Sequence, residues 1–400
     1  MSHSERYGPV ELALLVAVLV AFAVTPLVVR LAFRLGAIDE PGEDRRVHKL
    51  PTPRMGGVAV LLGVLTSTVL FVDWQIAPGF RQNSIDQLIA VLGVAAAVTL
   101  LGVADDVRQL HWRSKLTGQF VVAFAVVLLP LLGVARSVVD LVLVVRFIDP
   151  PLLHPVELPG WLGILLSVIW IVALMNMVNF IDGVDGLAAG TCAISAATFA
   201  VVAASYGRGN IAILAAATAG GALGFLPHNF RAKGARIFLG DSGSMLLGYL
   251  LAVIAIQGVL KTAAAVSLVI PLALLAVPIL DTLFVISKRV KYRLPVSHAD
   301  RWHLHHRLLN VGYSPRRVTI SFWMWSASMS ALALALRFVE YGNSRHWRPE
   351  GLALLAVFVL LALALSIYLA TTLEIIKRRH VRERNAATAA SRVVEAGGGD

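Results

Sequence analysis

Apolar stretches of about twenty residues recur along the sequence, and they restrict its possible folds more than any other feature. A helix of that length crosses a hydrocarbon core of roughly 30 Å, and a chain in lipid must satisfy its backbone hydrogen bonds internally. Apolar residues make up 58% of the 400 residues and charged residues only 15%, which excludes an ordinary soluble enzyme. The sequence therefore predicts an all-α polytopic membrane protein with about 11 transmembrane helices. The predicted spans are residues 10–35, 55–73, 87–104, 116–134, 161–179, 186–206, 210–227, 243–260, 266–287, 319–336 and 352–376.

The basic residues predict the orientation of these helices. The formal net charge is +11, and a protein this basic could bind nucleic acid if its charges formed one patch. Instead, 25 of the 35 Lys and Arg residues fall in alternate connecting segments, so no nucleic acid partner is expected. The positive-inside rule assigns these segments to the cytoplasm, which places the N-terminus outside and the C-terminus inside. The segments are residues 34–54, 105–115, 228–241, 288–318 and 377–400.

Two segments differ from simple connections between helices. Residues 138–158 contain a β-branched run interrupted by two prolines, which predicts a small external β-hairpin. Residues 377–400 begin with a basic cluster and end in Ala, Val and Gly, which predicts a disordered cytoplasmic tail that starts at the membrane surface. Residues 1–376 are predicted to form one integral membrane catalytic domain. The single cysteine, Cys192, excludes a disulfide framework.

Acidic residues are scarce in this chain, yet several collect at the predicted cytoplasmic ends of helices. An acid near the membrane costs free energy unless a cation or a basic side chain accompanies it. Asp105 and Asp106 end an apolar helix, where two negative charges oppose the helix dipole. Arg108 and Lys115 could compensate them, so salt-bridged loop acids are the structural alternative. The clustered acids are Asp105, Asp106, Asp182, Asp185 and Asp241.

The segment from Asn179 to Gly186 carries two of these acids three residues apart. Asp182 and Asp185 share one face if the segment is helical, and the glycines allow a break and a close approach of backbone to a ligand. The alternative is a capped helix break, with Asp185 as the N-cap. The asparagines in the preceding apolar helix favour a polar binding site.

A third cluster occupies residues 228–244. It combines basic residues, a glycine-flanked Asp241 and two hydroxyls just before a predicted helix start, a combination suited to a phosphate and a hard cation together. Magnesium takes one or two carboxylates plus substrate phosphates, so Asp241 with Asn179 or Asp182 would suffice. The alternative makes Asp241 or Ser242 an N-cap only.

The longest predicted cytoplasmic loop is rich in histidine. A His-x-His-His pattern could ligate zinc, but it does not match the ligand sets common in structural zinc sites, and no cysteine accompanies it. Imidazoles beside Arg301 and Arg307 suit an anionic phosphate better, and a solvated basic loop is the alternative. The histidines of this loop are His298, His303, His305 and His306.

Five sequence blocks occur in a specific order between about residues 45 and 310. Each block alone is a weak or moderate signal. The blocks are His48-Lys49-Leu50-Pro51-Thr52-Pro53-Arg54-Met55-Gly56-Gly57, Asp105-Asp106, Asn179-Phe180-Ile181-Asp182-Gly183-Val184-Asp185-Gly186, Phe238-Leu239-Gly240-Asp241-Ser242-Gly243-Ser244 and His303-Leu304-His305-His306. As an ordered set they resemble the polyprenyl-phosphate N-acetylhexosamine-1-phosphate transferases.

This resemblance implies a membrane enzyme that transfers a sugar 1-phosphate from a UDP-sugar to a polyprenyl phosphate and releases UMP. It implies Mg²⁺ as the cofactor, with Mn²⁺ as an alternative metal, and an active site on the cytoplasmic face of the inner (plasma) membrane. Asp241 would be the principal magnesium ligand, with Asn179 nearby. Asp105 and Asp106 would lie beside the lipid phosphate, where one of them could deprotonate it.

The resemblance also implies how the donor is bound. Asp182 and Asp185 would help to hold the nucleotide and the metal, and the histidines would bind the diphosphate or the sugar. A homodimer is a further expectation from the resemblance. The residues predicted to contact substrate are Lys49, Asn179, Asn229, Arg301, His303, His305 and His306.

Two alternatives accompany the predicted function. The block at residues 48–57 and the His-x-His-His loop resemble the branch that uses UDP-N-acetylglucosamine, whereas the branch that uses UDP-N-acetylmuramoyl-pentapeptide more often has three consecutive histidines. An ion-coupled secondary transporter would place its site near the midplane and carry an internal repeat, but here the acids gather at one face and no repeat is evident. N-acetylglucosamine 1-phosphate transfer, as the first membrane step of a cell-envelope glycan pathway, is therefore predicted.

Overall fold

The computed structural model describes residues 3–40, 51–72, 82–128, 147–148, 156–157, 159–260, 269–293, 303–340 and 348–369. The predicted tail at 377–400 lies outside these residues. The helices are α1 (His3–Leu35), α2 (Gly56–Phe71), α3 (Gln82–Arg108), α4 (Trp112–Leu128), α5 (Gly160–Ile181), α6 (Leu187–Ser205), α7 (Gly209–Asn229), α8 (Gly240–Ala255), α9 (Val269–Leu274), α10 (Ala276–Lys291), α11 (Leu304–Asn310), α12 (Pro315–Phe338) and α13 (Pro349–Leu369). A π-helical turn, Ile256–Leu260, extends α8.

Within the described residues, eight helices are long and apolar enough to cross a membrane, as expected for a polytopic membrane protein. They are α1, α3, α5, α6, α7, α8, α12 and α13. The other predicted spans also contain helices, but α2 has 16 residues and α4 is described for 17. The predicted span 266–287 holds two helices, α9 and α10. The number eleven and the orientation stay predictions.

Proline explains the division between α9 and α10. α9 ends at Leu274 and α10 begins at Ala276, with Leu275 between them. Pro278 lies in the first turn of α10, and a proline ring clashes with the carbonyl of the residue four positions earlier, here Leu274. The helix therefore ends where the sequence alone suggested one continuous span.

The centre of the bundle is formed by α6, α7 and α8, the most buried of the spanning helices, whereas α1 and α13 are the least buried. Small residues allow helices to approach closely in a membrane. Gly220 and Gly224 on α7 lie against the carbonyls of Leu14 and Val18 on α1, and a Cβ on either glycine would overlap these oxygens. The contact between α1 and α7 therefore depends on small residues one helical turn apart.

The start of α8 is enclosed by two other helices. Gly57 on α2 and Gly102 on α3 lie so near the backbone of Ser242 and Gly243 that a Cβ on either would overlap it. The Gly57 N–H also donates to the Leu239 carbonyl at 3.1 Å. Two glycines thus let α2 and α3 hold the segment that carries Asp241.

Substitution of Gly102 tests this packing. Gly102→Ala should lower the free energy of unfolding by about 1–3 kcal/mol, the usual cost of overpacking, because the methyl group would press on Ser242. Gly93 on the same helix has no atom within 4 Å of the position of a Cβ, so Gly93→Ala is the matched control and should not destabilise the protein. Thermal unfolding of both variants in detergent measures the difference, and equal effects would contradict the close contact.

In the described part of the chain, two short antiparallel strand pairs accompany the helices. β1 (Ile38–Asp39) pairs with β2 (Thr52–Pro53), and β3 (Phe147–Ile148) pairs with β4 (Val156–Glu157). The second pair falls within the predicted hairpin at 138–158. Most of that hairpin, including the β-branched run, lies outside the described residues, so its extent and external location stay predictions.

Candidate active site

Side chains from four helices meet at one end of the bundle, and we call them the acid–lysine cluster. The Lys115 ammonium, at the start of α4, lies 2.9 Å from Asp105 Oδ2 at the end of α3. It also lies 2.9 Å from Asp241 Oδ1 in the first turn of α8, and it donates to Asn179 Oδ1 near the end of α5 at 3.3 Å. The Asn179 amide nitrogen donates to Asp241. Three residues singled out from the sequence thus converge on one cation.

Asp106 holds the start of α8. Its Oδ1 accepts from the Asp241 N–H at 2.8 Å and its Oδ2 from the Ser242 N–H at 3.1 Å. The first N–H groups of a helix lack intrahelical partners, so this carboxylate from α3 does the work of an N-cap. Gly240 has a φ of +72° and lies so close that a Cβ would be 2.6 Å from Asp106 Oδ2. Asp106 therefore determines where Asp241 lies.

The asparagines of α5 are tied to neighbouring helices. The Asn179 amide nitrogen also donates to Ser244 Oγ on α8 at 2.8 Å. Asn176 donates to Gln119 Oε1 on α4 at 2.7 Å, and the Gln119 amide nitrogen lies 3.1 Å from Met245 Sδ on α8. These contacts anchor the acid–lysine cluster on three helices, which are more rigid than loops.

Asp182 and Asp185 lie in the break that follows α5. Burial and the charge of Asp241 raise the pKa of Asp182 well above its usual value, so Asp182 takes up a proton more readily than an ordinary aspartate. Asp185 Oδ2 accepts from the Ala235 N–H at 3.1 Å, and the Asp185 carbonyl accepts from Thr319 Oγ1 at 2.9 Å. Asp185 thus fastens the loop before α8 to this break.

Asn229 joins the same two segments. Its Oδ1 accepts from the Gly186 N–H at 2.6 Å, and its amide nitrogen donates to the Ile237 carbonyl at 3.0 Å. Gly186, with a φ of 76°, is the residue before α6, so the alternative that made Asp185 the N-cap does not describe this helix start. The oxygen and the nitrogen of the buried Asn229 side-chain amide thus each bond to a backbone group. The contact of Asn229 with substrate stays a prediction.

The histidine segment, residues 303–306, adjoins the break after α5. The rings of His303 and His305 stack with centroids 5.7 Å apart, and His305 packs on Gly183, where a Cβ would overlap Nε2. Burial and the charges of His306 and His303 lower the pKa of His305 well below its usual value, so this ring gives up its proton more readily than an ordinary imidazole. Within the described residues, neither nitrogen of this buried ring has a hydrogen-bond partner, an arrangement that calls for a ligand or another explanation.

Two residues of this region were not predicted as site residues. Lys115 was considered only as a countercharge for the adjacent aspartates, and its contact with Asp241 arises from the fold. Asp281 on α10 is fully buried and bonds to the histidine segment. A single acid inside an apolar span is itself a sign of a functional site, so the sequence did carry a signal for Asp281. The predicted residues Lys49 and Arg301 lie outside the described residues.

The acid–lysine cluster has the donor chemistry that a hard divalent cation requires. Oxygen atoms of Asp105, Asp241 and Asn179 surround the ammonium of Lys115, so this point in the fold already holds one positive charge. Magnesium prefers oxygen ligands and commonly takes one or two carboxylates together with substrate phosphates. In the described part of the chain, no three His, Cys, Asp or Glu side chains are grouped to hold a metal ion. The residues fit an ion that Asn179 and substrate oxygens help to bind.

Comparisons with known proteins identify the family. The sequence model of the family described as glycosyl transferase family 4 matches residues 88–259. The chain is 35% identical over 333 residues to a probable undecaprenyl-phosphate N-acetylglucosaminyl 1-phosphate transferase of Bacillus subtilis, covering 83% of this chain and 86% of the relative. It is 34% identical over 391 residues to the decaprenyl-phosphate N-acetylglucosaminephosphotransferase of Mycobacterium leprae, covering 92% of each.

A relative with another named activity matches over a similar length. The chain is 34% identical over 341 residues to the phospho-N-acetylmuramoyl-pentapeptide-transferase of Desulforudis audaxviator, covering 82% of this chain and 98% of the relative. The helices are suited to a membrane, and a polar cluster lies at one end of the bundle. Together these features define an integral membrane protein with a candidate active site. The chain belongs to glycosyl transferase family 4, among the polyprenyl-phosphate N-acetylhexosamine-1-phosphate transferases. This confirms the family predicted from the ordered sequence blocks and leaves the transporter alternative without support.

Proposed function

We propose that this protein transfers N-acetylglucosamine 1-phosphate from UDP-N-acetylglucosamine to a membrane polyprenyl phosphate, giving polyprenyl-diphosphate-N-acetylglucosamine and UMP. The acid–lysine cluster at one end of a membrane bundle is the observation that carries the proposal. Phosphoryl transfer between two anions needs charge neutralisation and alignment rather than covalent chemistry, and this cluster offers both. The names of the Bacillus and Mycobacterium relatives support the choice of sugar and lipid.

Magnesium, for which manganese could substitute, is the cofactor that we propose, with Asp241 and Asn179 as its protein ligands. When bound, the ion neutralises phosphate charge and polarises a phosphoryl oxygen of the donor. Asp106 keeps Asp241 in place through the N–H groups at the start of α8. Lys115 offers a second positive charge to the donor phosphates.

We assign different tasks to the two adjacent aspartates. Both oxygens of Asp106 bond to backbone N–H groups of α8, so this side chain is committed to structure. Asp105 accepts from the Leu110 N–H at 2.7 Å and from the ammonium of Lys115, which sits on a flexible side chain. Asp105 is therefore the better candidate to face the lipid phosphate and to accept its proton.

The donor nucleotide would lie between the break after α5 and the histidine segment. The buried ring of His305 beside Gly183 supports a ligand contact there. The positive charges of Arg301 and Arg307, close to it in the sequence, would favour a diphosphate. Asp185 and Asn229 would hold the break after α5 and the loop before α8 in a fixed position relative to each other. The residues proposed to hold the donor are Lys49, Asp182, Arg301, His303, His305 and His306.

We further propose that the site faces the cytoplasm across the inner (plasma) membrane, with the N-terminus outside and eleven spans. The last turn of α10 carries Lys288, Arg289 and Lys291 beyond Asp281, which supports a cytoplasmic location by the positive-inside rule. An external hairpin at 138–158 and a homodimer complete the proposal, the dimer on the family resemblance alone.

Donor choice tests the proposed function directly. Purified protein with polyprenyl phosphate should release UMP from labelled UDP-N-acetylglucosamine at a rate at least about 100-fold above that with UDP-N-acetylmuramoyl-pentapeptide, because polar contacts to the sugar discriminate strongly. Chelation of divalent cations should stop the reaction, and added Mg²⁺ should restore it. Transfer of the muramoyl-pentapeptide alone would assign the protein to the other branch.

A further inference from the structure

Asp281 is a buried acid to which the proposed reaction gives no task. It lies on α10, and its side chain is fully buried. Its Oδ2 lies 2.7 Å from His303 Nδ1, and its Oδ1 accepts from the Leu304 N–H at 2.7 Å. A carboxylate in an apolar span is costly unless it is hydrogen-bonded, so these two contacts explain how it is tolerated.

Both bonds reach the first residues of the histidine segment. His303 directly precedes α11 and Leu304 is its first residue, whose N–H has no partner within the helix. One carboxylate therefore ties a ring and a helix start to α10. Because an ionised carboxylate only accepts hydrogen bonds, Nδ1 of His303 carries the proton. Nε2 is then the ring nitrogen left for a ligand.

The ring that Asp281 orients leads into the candidate active site. His303 lies 5.5 Å, between ring centroids, from Phe180 at the end of α5. It also stacks on His305, which rests on Gly183. Rotation of the His303 ring would therefore change the surface that faces the break after α5.

We propose that Asp281 is a positioning residue for the donor nucleotide: it holds His303 in the orientation and tautomer in which the unprotonated Nε2 accepts a hydrogen bond from a hydroxyl group of the nucleotide. This rests on the proposed function, which supplies the nucleotide. Carboxylates that bond to one nitrogen of an imidazole and so direct the other occur in metal and catalytic sites. Asp281 acts through His303 and does not contact the reacting atoms.

The state of the His303 ring can be measured on the full-length protein without turnover. With ¹⁵N-labelled histidine, and His303→Gln to identify the resonances, NMR should show a proton on Nδ1. Asp281→Asn keeps an oxygen for the Leu304 N–H but can turn an NH₂ group towards Nδ1, so the proton should move to Nε2. An unprotonated Nδ1 in the wild-type protein, or an unchanged ring in Asp281→Asn, would overturn the assignment.

Calorimetric binding of UDP gives a second readout. Asp281→Asn should weaken UDP binding about tenfold, and Asp281→Glu should recover most of the loss. Thr282→Val, which removes a neighbouring buried hydroxyl, is the matched control and should change affinity less than about twofold. In a His303→Ala background, Asp281→Asn should have almost no further effect, because coupled residues are not additive. Equal losses in both backgrounds would show a purely structural role.

Transfer activity is measured separately, so the two proposals can fail independently. A wild-type protein that binds UDP and responds to Asp281→Asn as expected, but releases no UMP from UDP-N-acetylglucosamine, would refute the proposed function and keep the role of Asp281. UMP release with UDP affinity unchanged in Asp281→Asn would refute the role of Asp281 and keep the function.

Discussion

We expect Asp241→Asn to lower magnesium-dependent UMP release about a thousandfold while the protein remains inserted in the membrane. One carboxylate oxygen of Asp241 meets both the Lys115 ammonium and the Asn179 amide, so the neutral amide would remove the negative charge proposed to hold the metal. The start of α8 should survive, because Asp106 bonds to backbone N–H groups that the substitution keeps. Release of labelled UMP over a range of Mg²⁺ concentrations measures the effect.

Glu340→Gln is the matched control for that substitution. Glu340 is exposed and pairs with Arg348 just beyond the C-terminal end of α12. Its neutralisation should therefore leave UMP release within about twofold of wild type. Thermal unfolding checks that both variants are folded. If Asp241→Asn kept more than about a tenth of wild-type turnover, Asp241 would not be the principal metal ligand.

The second large effect should appear in stability. Lys115→Met should lower the free energy of unfolding by about 3–5 kcal/mol, because removing one partner of a buried ion pair leaves charge uncompensated. The Lys115 side chain is only 17% exposed and meets both Asp105 and Asp241. Methionine keeps most of the apolar stem, so the loss reports mainly the missing charge. Denaturant unfolding in detergent without divalent cations measures it.

Added Mg²⁺ should recover part of this loss, because a ligand that binds the folded state stabilises it. The wild-type protein should respond less, since its ammonium already lies among the same oxygens. Arg108→Met removes an exposed basic side chain and is the control, with an expected change below about 0.5 kcal/mol. Equal destabilisation by both substitutions, or a loss that Mg²⁺ leaves unchanged, would contradict a shared cation position.

The adjacent aspartates illustrate how far the sequence could predict the candidate site. Their position at a helix end followed from the pattern of apolar and charged residues, but nothing in that pattern distinguished Asp105 from Asp106. Successive residues of a helix point about 100° apart, so neighbours in sequence contact different surroundings. In the fold, Asp105 bonds to Lys115 and Asp106 bonds to the start of α8, and only these partners separate their roles.

Gly183 illustrates the same limit for a glycine. The sequence indicated that it lets backbone approach a ligand, whereas in the structure the nearest group is the His305 ring. The apolar span around Asp281 marked it as unusual, but the histidine that it contacts lies more than twenty residues away, so the sequence did not connect the two. The break after α5 and the clustered acids were visible in the sequence, but the residues that they contact were not.

The sequence by itself determined the class of protein, because a run of apolar residues in lipid must form a helix whatever surrounds it. It also determined the family, through blocks that keep their order. Only the tertiary structure decided which polar groups meet, because Lys115, Asp241 and Asn179 come from helices far apart in the chain. Their meeting depends on how closely Gly57 and Gly102 let α2 and α3 approach α8, and such packing is a property of the whole bundle, which no local pattern encodes.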